Sequence, residues 1–386
     1  MIGIVDVRLA SAGGAGRKPY THPRHVEEGE VPDIDDGIRE SPAPADAAGQ
    51  TVQNGPRRGA NWILLRIRDG FLRRREASVL VVALALGAYF ASASEAFLTG
   101  DNMVNITQAA APSAIVACGI VLLLVSGEID LSVGVVAALA PFMMHYAIDY
   151  WGIPAVPAIL LALLTGTVIG LGNGFVTVVL KVPSFITTLG TFYLVTGIVL
   201  TTSGAYPAEV PAPVDNQIGQ WLGAANWAHL AWALVIVAFF HVLFTRTRWG
   251  LHTISVGGNL LGAQEAGVRT GRIKIGNFMI AGTLGAFAGI MEAFRIHTID
   301  PNLGGGTGLM FTAVSAAVIG GTALAGGSGT IIGGALGALV LAELQNGFNL
   351  IGISANPYFL ILGGSILLAM IANVYLSRLR RAGKTT

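Results

Sequence analysis

Long apolar segments separated by short polar connections run from residue 77 to residue 376 and dominate the chain. A membrane-spanning helix needs roughly 20 mainly apolar residues. The pattern predicts about ten spans, with eight or nine as alternatives because the eighth segment is short, is flanked by glycines and could be a half-helix or a re-entrant segment. The predicted spans are 77–98, 104–126, 131–149, 155–180, 184–203, 227–245, 275–295, 309–325, 330–350 and 357–376. We therefore expect an all-α integral membrane protein.

The composition agrees with this fold class and narrows the chemistry. Hydrophobic residues make up 53% of the chain and charged residues 12%, and the mean hydropathy is +0.65, whereas about 25% charged residues is usual in soluble domains. The net charge of +1 gives no sign of a nucleic-acid partner, so membrane lipid is the expected surrounding. The single cysteine, Cys118, lies in an apolar run and cannot form an intrachain disulfide or a thiolate metal site.

Four regions differ in composition. Residues 1–60 are rich in Pro, Gly, Ala and acidic side chains without apolar periodicity, which predicts a disordered cytoplasmic tail. A basic segment, 61–76, precedes the transmembrane region 77–376, and a short tail, 377–386, follows it. The first residues lack the pattern of a removable signal peptide.

Basic residues set the expected orientation. Arg73, Lys181, the loop 246–274 and Arg378 all fall on one side of the ten predicted spans, which places both termini in the cytoplasm by the positive-inside rule. Arg295 is the exception near the outer end of the seventh span. Glu292, one helical turn earlier, is an expected ion-pair partner for it.

The loop 246–274 is the longest polar interruption between the spans. It holds Arg246, Arg248, Arg269, Arg272 and Lys274 against one acid, Glu265. A basic cytoplasmic loop of this kind in a multi-span protein suggests a surface for a soluble partner.

Two short stretches resemble each other and suggest an internal repeat. Asn173-Gly174-Phe175 would lie at the inner end of the fourth span and Asn346-Gly347-Phe348 at the outer end of the ninth. Two inverted five-helix repeats would explain this placement. The match is short, so coincidence is the alternative.

The segment Gly127–Gly134 carries two carboxylates between apolar segments. Charges at membrane depth are costly, so these should face protein, water or the interface. We expect Asp130 to cap a helix that begins at Leu131, with a proton relay as the less favoured reading. The glycines between residues 304 and 337 favour close helix packing rather than a phosphate loop, because no strand precedes them and no Lys-Ser/Thr follows. No catalytic site and no metal site are predicted.

Three motifs resemble those of the membrane-spanning permease subunits of bacterial ATP-binding-cassette importers for simple sugars, of the ribose, xylose, arabinose and galactose type. The motifs are Gly127-Glu-Ile-Asp-Leu-Ser-Val-Gly134, Gly257-Gly-Asn followed by Gly262-Ala and Ala266-Gly-Val, and the run from Ala317 to Gly329. Gly262, Ala266 and Val268 replace the family's usual Ala, Ser and Ile. The tail before Arg57 is longer than the family typically has.

The resemblance implies several roles. The loop would hold a short cytoplasmic coupling helix that docks on an ATPase through Gly257, Gly258, Asn259, Ala263, Glu265, Ala266 and Gly267. The pathway or gate would be lined by small and hydroxyl residues rather than by charges. The candidates by position, all uncharged, are Phe185, Thr187, Thr188, Thr191 and Asn349. The remaining motif residues would be structural: Gly127, Glu128, Asp130, Ser132, Gly134, Asn173, Gly320, Gly321, Gly326 and Gly327.

The resemblance also implies partners: a cassette ATPase that binds ATP and magnesium, a periplasmic sugar-binding protein and a second permease copy, in a homodimer or a close heterodimer. This chain itself would bind no cofactor and would not be an enzyme. The expected function is ATP-driven import of a monosaccharide or related polyol across the inner membrane by alternating access. An ion-coupled secondary transporter of a small polar solute is the alternative, suggested by the repeat and by Glu128 and Asp130.

Overall fold

A computed structural model describes residues 75–302 and 307–352, together with Leu360, Gly363, Gly364, Leu367 and Ile371. The predicted tail 1–60, nearly all of the segment 61–76 and the C-terminal tail 377–386 lie outside the described residues. So does most of the tenth predicted span.

The described residues form a helical bundle. Eight helices are long and apolar enough to cross a membrane, and they match the first seven predicted spans and the ninth. The helices are α1 (Arg75–Ala93), α2 (Gly100–Val125), α3 (Val133–His145), α4 (Ala155–Val178), α5 (Ser184–Ser203), the single turn α6 (Gln217–Gly219), α7 (Ala228–Arg246), α8 (Arg248–Gly258), α9 (Leu260–Glu265), α10 (Thr270–Ile296), α11 (Thr307–Ile319) and α12 (Ile331–Leu350).

The eighth predicted span is shorter than a full crossing. Helix α11 has 13 residues and ends at Ile319, and a non-helical segment of turns and bends fills residues 320–330 before α12 begins. The expected extension to residue 325 is therefore wrong. The two glycines at 320 and 321 and the loop that follows replace the last turns of that helix.

Helix α2 lies at the centre of the bundle. Every residue from Ala110 to Val125 is buried, as expected for a helix that is apolar on all sides. It packs against α7, α10, α11 and α12. Because α2 runs through the core, its ends at Gly100 and Val125 mark the two faces of the bundle.

Small residues bring α4 and α10 into backbone contact. A Cβ added to Gly166 would overlap the carbonyl oxygen of Gly282, and one added to Gly282 would overlap the carbonyl oxygen of Gly166. Helix α10 also packs along α2 and α3. Small residues that allow such close approach are typical of helix interfaces in membranes.

The connection between α5 and α7 folds back onto the end of α10. Strand β1 (Ala208–Glu209) pairs antiparallel with β2 (Thr298–Ile299), which follows α10. A π-helical turn, Gln220–Ala224, continues α6, and its Gly223 lies against the backbone of Met291.

Arg295 donates to Glu292 at this end of α10, with an Nε–Oε2 distance of 2.8 Å, so the ion pair predicted from helical spacing is confirmed.

Candidate functional site

Glycines from all three sequence motifs meet at the C-terminal end of α2. The amide of Gly327 donates to the carbonyl oxygen of Val125 at 2.8 Å, and a Cβ added to Gly257 would overlap that same oxygen. A Cβ added to Gly326 would lie 2.9 Å from the carbonyl oxygen of Gly257 and 3.3 Å from the Cα of Gly127. We call Gly127, Gly257, Gly258, Gly326 and Gly327 the glycine junction.

Backbone conformation gives a second reason for glycine here. Gly127, Gly326 and Gly327 have φ values of +81°, +86° and +74°, a region that residues with a Cβ adopt only at a cost. The sequence marked these glycines as structural, but their meeting point depends on contacts between segments that are far apart in the chain.

The other motif glycines shape the start of α3 and α12. Gly134 is buried in the first turn of α3. Gly320 lies against the backbone of Gly333 and Gly334, and Gly321 turns the chain with a φ of +87°. These contacts hold the 320–330 loop against α12.

The predicted coupling loop contains two consecutive helices, α8 and α9. Thr247 accepts from the amide of Trp249 at the start of α8. Asn259 separates α8 from α9, and its Oδ1 accepts from the amide of Gly262 at 3.0 Å, so Asn259 caps α9. The Trp249 indole N–H donates to Asn277 Oδ1 at 3.0 Å, which ties α8 to α10.

The exposed face of α9 differs from the expected one. Ala263 is only 5% exposed and packs with Val256 and Ile273, so the expectation that its side chain is free for docking is wrong. Leu261 is 70% exposed, and Gln264, Glu265 and Ala266 are also exposed. Leu261 was not predicted because the small residues of the motif, rather than an apolar side chain without a packing partner on this helix, were expected to form the docking face.

Glu128 forms an ion pair with Lys274, the last residue of the coupling loop, which lies in the first turns of α10. Both side chains are largely buried, at 10% and 18% exposed. The sequence near Glu128 did not indicate a cationic partner for it, because Lys274 lies 146 residues away. The fold brings the two together by placing the start of α10 beside the end of α2.

Asp130 is 1% exposed and organises the start of α3. Its Oδ1 accepts from the Ser132 amide at 2.8 Å and from the Ser132 hydroxyl at 2.6 Å. Helix α3 begins at Val133, so the predicted cap of a helix beginning at Leu131 is wrong. Burial raises the pKa of the Asp130 carboxyl, while hydrogen bonds from Ser132 and Asn173 act in the opposite direction.

A chain of hydrogen bonds continues from Asp130 to α5. Asn173 on α4 donates through Nδ2 to the Ser132 hydroxyl at 2.8 Å and to Asp130 Oδ2 at 3.5 Å. The Thr191 hydroxyl on α5 donates to Asn173 Oδ1 at 2.6 Å. One residue of the predicted pathway is thus joined to three of the predicted structural residues.

The other predicted pathway residues are not all together. Thr187 and Thr188 are buried within the chain, whereas Phe185 is exposed at the start of α5. Asn349 is exposed in the last turn of α12, and no hydrogen bond among the described residues joins it to α5.

A groove of about 560 Å³ lies between α3, α4 and α5. Its lining is mostly apolar, and Thr165, Asn173 and Thr191 supply polar side chains. Within the described part of the chain, no group of three or more His, Cys, Asp or Glu side chains is placed to hold a metal ion.

Comparison with known proteins places this architecture in a family. Residues 102–371 match the family described as "Branched-chain amino acid transport system / permease component". The xylose/arabinose import permease protein XylH of Sulfolobus acidocaldarius is 36% identical over 80% of this chain and 87% of its own length. No solved structure gives a significant match.

Two further relatives cover most of the chain. The ribose import permease protein RbsC of Escherichia coli K12 is 32% identical over 77% of this chain and 93% of its own length. The autoinducer 2 import system permease protein LsrC of Photorhabdus luminescens is 32% identical over 80% of this chain and 91% of its own length.

Eight long apolar helices and this family match define a multi-pass membrane permease, a transport subunit rather than an enzyme. The chain belongs to the family of permease components of ATP-binding-cassette importers.

Proposed function

We propose that this chain is the permease of an ATP-driven importer that moves a monosaccharide, a pentose, a hexose or a related polyol, across the bacterial inner membrane with both termini in the cytoplasm. Among the relatives reported above, XylH and RbsC are named for pentoses, whereas the family description names branched-chain amino acids. Alternating access between an outward-open and an inward-open state would move the sugar. ATP shifts that equilibrium only through its different affinity for the two states.

Helix α9 is the observation that carries the ATPase partnership. It is a short helix, capped by Asn259, whose exposed face presents Leu261 beside Gln264 and Glu265. Leu261 is 70% exposed, and docking in the cleft of a soluble partner would remove its apolar surface from water, which is favourable. ATP and magnesium would bind to that cassette ATPase.

The charges of the described residues favour the proposed orientation. Basic residues cluster at the end of the bundle that holds α9: Lys181, Arg246, Arg248, Arg269, Arg272 and Lys274. This is the cytoplasmic end by the positive-inside rule. The opposite end would receive a periplasmic sugar-binding protein.

Helix packing supports two inverted five-helix repeats. Helix α4 packs along α10, and α12 packs along α2; α3 contacts α4 and α10, while α11 contacts α12 and α2. These two sets of contacts correspond if α4 is the counterpart of α12, α3 of α11 and α10 of α2. In span numbers, these pairs are the fourth with the ninth, the third with the eighth and the seventh with the second, as two five-helix repeats require. Asn173 lies near the Val125 end of the bundle and Asn346 near the Gly100 end, where it bonds to Asn102.

The translocation path would run along α5 between two copies of the permease. The groove between α3, α4 and α5 offers hydroxyl and amide groups from Thr165, Thr191 and Asn173 among apolar side chains. Such a lining suits a neutral, hydroxyl-rich cargo better than an ion, because the groove lining contains no charged side chain.

Transport by the assembled importer tests this function. The permease, its cassette ATPase and its binding protein, reconstituted in proteoliposomes, should import radiolabelled xylose, arabinose or ribose only with ATP. Uptake of leucine or valine instead would assign the cargo named by the family description. Uptake without ATPase that collapses with the proton or sodium gradient would support an ion-coupled secondary transporter.

Substitutions on α9 test the docking face. Leu261→Arg and Glu265→Arg should abolish co-purification with the ATPase and abolish uptake. Leu251, an exposed leucine on α8 at 61% exposed, provides the matched control, and Leu251→Arg should retain both. Equal behaviour of the Leu251 and Leu261 variants would contradict docking through α9.

A further inference from the structure

We infer that the segment Gly127–Ser132 is a connector that joins the ATPase-coupling helices to α5. Its first arm is the set of contacts with the coupling loop, where Glu128 is the positioning residue, and its second arm is the set of contacts with α5, where Asp130 is the positioning residue. This inference rests on the proposed function. It goes beyond it because it assigns a route by which movement of α9 reaches the helix beside the proposed pathway.

The first arm leads to the coupling loop. Glu128 pairs with Lys274, four residues after the start of α10 and nine after the end of α9. The backbone of the same segment is held at the glycine junction, where Gly257 abuts the carbonyl oxygen of Val125 and Gly326 abuts Gly127. Displacement of α8 and α9 would therefore reach this segment through the ion pair at the start of α10 and through the backbone contact at Val125, two residues before Gly127.

The second arm leads to α5. The amide of Ile129 donates to the hydroxyl of Ser184, the first residue of α5, at 3.3 Å. About two helical turns further on, Thr191 is reached through Asp130, Ser132 and Asn173 by hydrogen bonds of 2.6–2.8 Å. Two separate points on α5 are thus tied to one six-residue segment.

Burial makes these hydrogen bonds persistent. Asp130, Ser132, Asn173 and Ser184 are each less than 10% exposed, so water does not readily replace their hydrogen bonds. A buried polar group left without a partner is costly. The connector and α5 should therefore move together rather than separate when α9 is displaced.

The decisive measurement is the number of sugar molecules imported per ATP hydrolysed by the reconstituted importer. Lys274→Gln and Ser184→Ala should each leave ATP hydrolysis largely intact and lower this ratio by about fivefold or more, within the range of typical allosteric coupling. Arg272→Gln removes an exposed charge from the same loop, and Thr196→Val removes a hydroxyl whose hydrogen bond, among the described residues, stays within α5. Both controls should keep the wild-type ratio.

Two further variants distinguish a connector from a purely structural role. Exchanging the charges, Glu128→Lys with Lys274→Glu, should restore most of the ratio lost in either single variant. The double variant Lys274→Gln with Ser184→Ala should be no worse than the poorer single one, because both break the same connection.

Other results would overturn the inference. A proportional fall of hydrolysis and uptake, with an unchanged ratio, would show that these residues only hold the fold. Independent, multiplicative losses in the double variant would show that the two arms are not one connector. Absence of ATP-dependent uptake in the wild-type importer would instead contradict the proposed function.

Discussion

Two adjacent glycines, Gly257 and Gly258, have very different surroundings. A Cβ at Gly257 would overlap the carbonyl oxygen of Val125, whereas a Cβ at Gly258 would meet only the Cα of Gly327 at 3.9 Å. The sequence motif gives both the same expected role in docking. The contact with α2 that separates them depends on the folded position of a helix end more than 130 residues away.

Alanine at each position tests this difference. Gly257→Ala should destabilise the protein by about 1–3 kcal/mol, the usual cost of overpacking, and should reduce uptake because the junction must open. Gly258→Ala should change the melting temperature in detergent little. Similar melting temperatures for both variants would show that Gly257 is not confined by α2.

At the scale of elements, α9 depends on its cap more than the long helices do. A helix of six residues has few internal hydrogen bonds, and the Asn259 side chain satisfies the amide of Gly262. Loss of an N-cap typically costs about 1 kcal/mol. A short exposed helix should therefore fray when the cap is removed.

Asn259→Ala should increase amide hydrogen exchange in residues 260–265 and weaken association with the ATPase. Asn259→Asp keeps an oxygen acceptor at the cap and should retain most of both properties. Unchanged exchange in the alanine variant would mean that packing of Ala263 against Val256 and Ile273, rather than the cap, holds α9.

The interface of α4 with α10 offers a test on one helix. Gly166 meets the backbone of Gly282, whereas no other group lies within 4 Å of a Cβ placed on Gly172. Gly166→Val should therefore reduce the yield and melting temperature of the folded protein sharply, because the two backbones must separate. Gly172→Val should have little effect on either measurement. Comparable losses would indicate that β-branching in α4, not the interface, is the cause.

At the scale of the whole molecule, the hydrophobic pattern was sufficient to predict the long helices, because bilayer thickness sets their length. It left the length of α11 open, since glycine-flanked apolar residues fit both a full span and a half-length helix. Contacts such as the ion pair of Glu128 with Lys274 could not be predicted from the sequence either. Such contacts form only when particular helices become neighbours, and the local sequence does not indicate which helices do so.

Charge separates along the axis of the bundle. The end opposite α9 carries the exposed acids Glu95, Asp101, Asp149, Glu209 and Asp215 and the half-buried Asp300. Glu209 lies on β1, opposite Thr298 of β2, and Asp215 pairs with His297 at 3.2 Å. Arg295, the arginine at this end, is already paired with Glu292. If a binding protein docks here, complementarity predicts that its contact surface is basic.

Neutralising the acids near the strand pair tests that docking surface. The triple variant Glu209→Gln, Asp215→Asn, Asp300→Asn should slow association of the binding protein and weaken its stimulation of the ATPase, because surface charges mainly set association rates. Wild-type stimulation should fall as salt rises from low concentration to about 0.15 M, where screening acts over about 8 Å, and the variant should depend on salt less. Glu76→Gln, at the opposite end, is the control. Faster association in the triple variant would instead indicate an acidic contact surface on the binding protein.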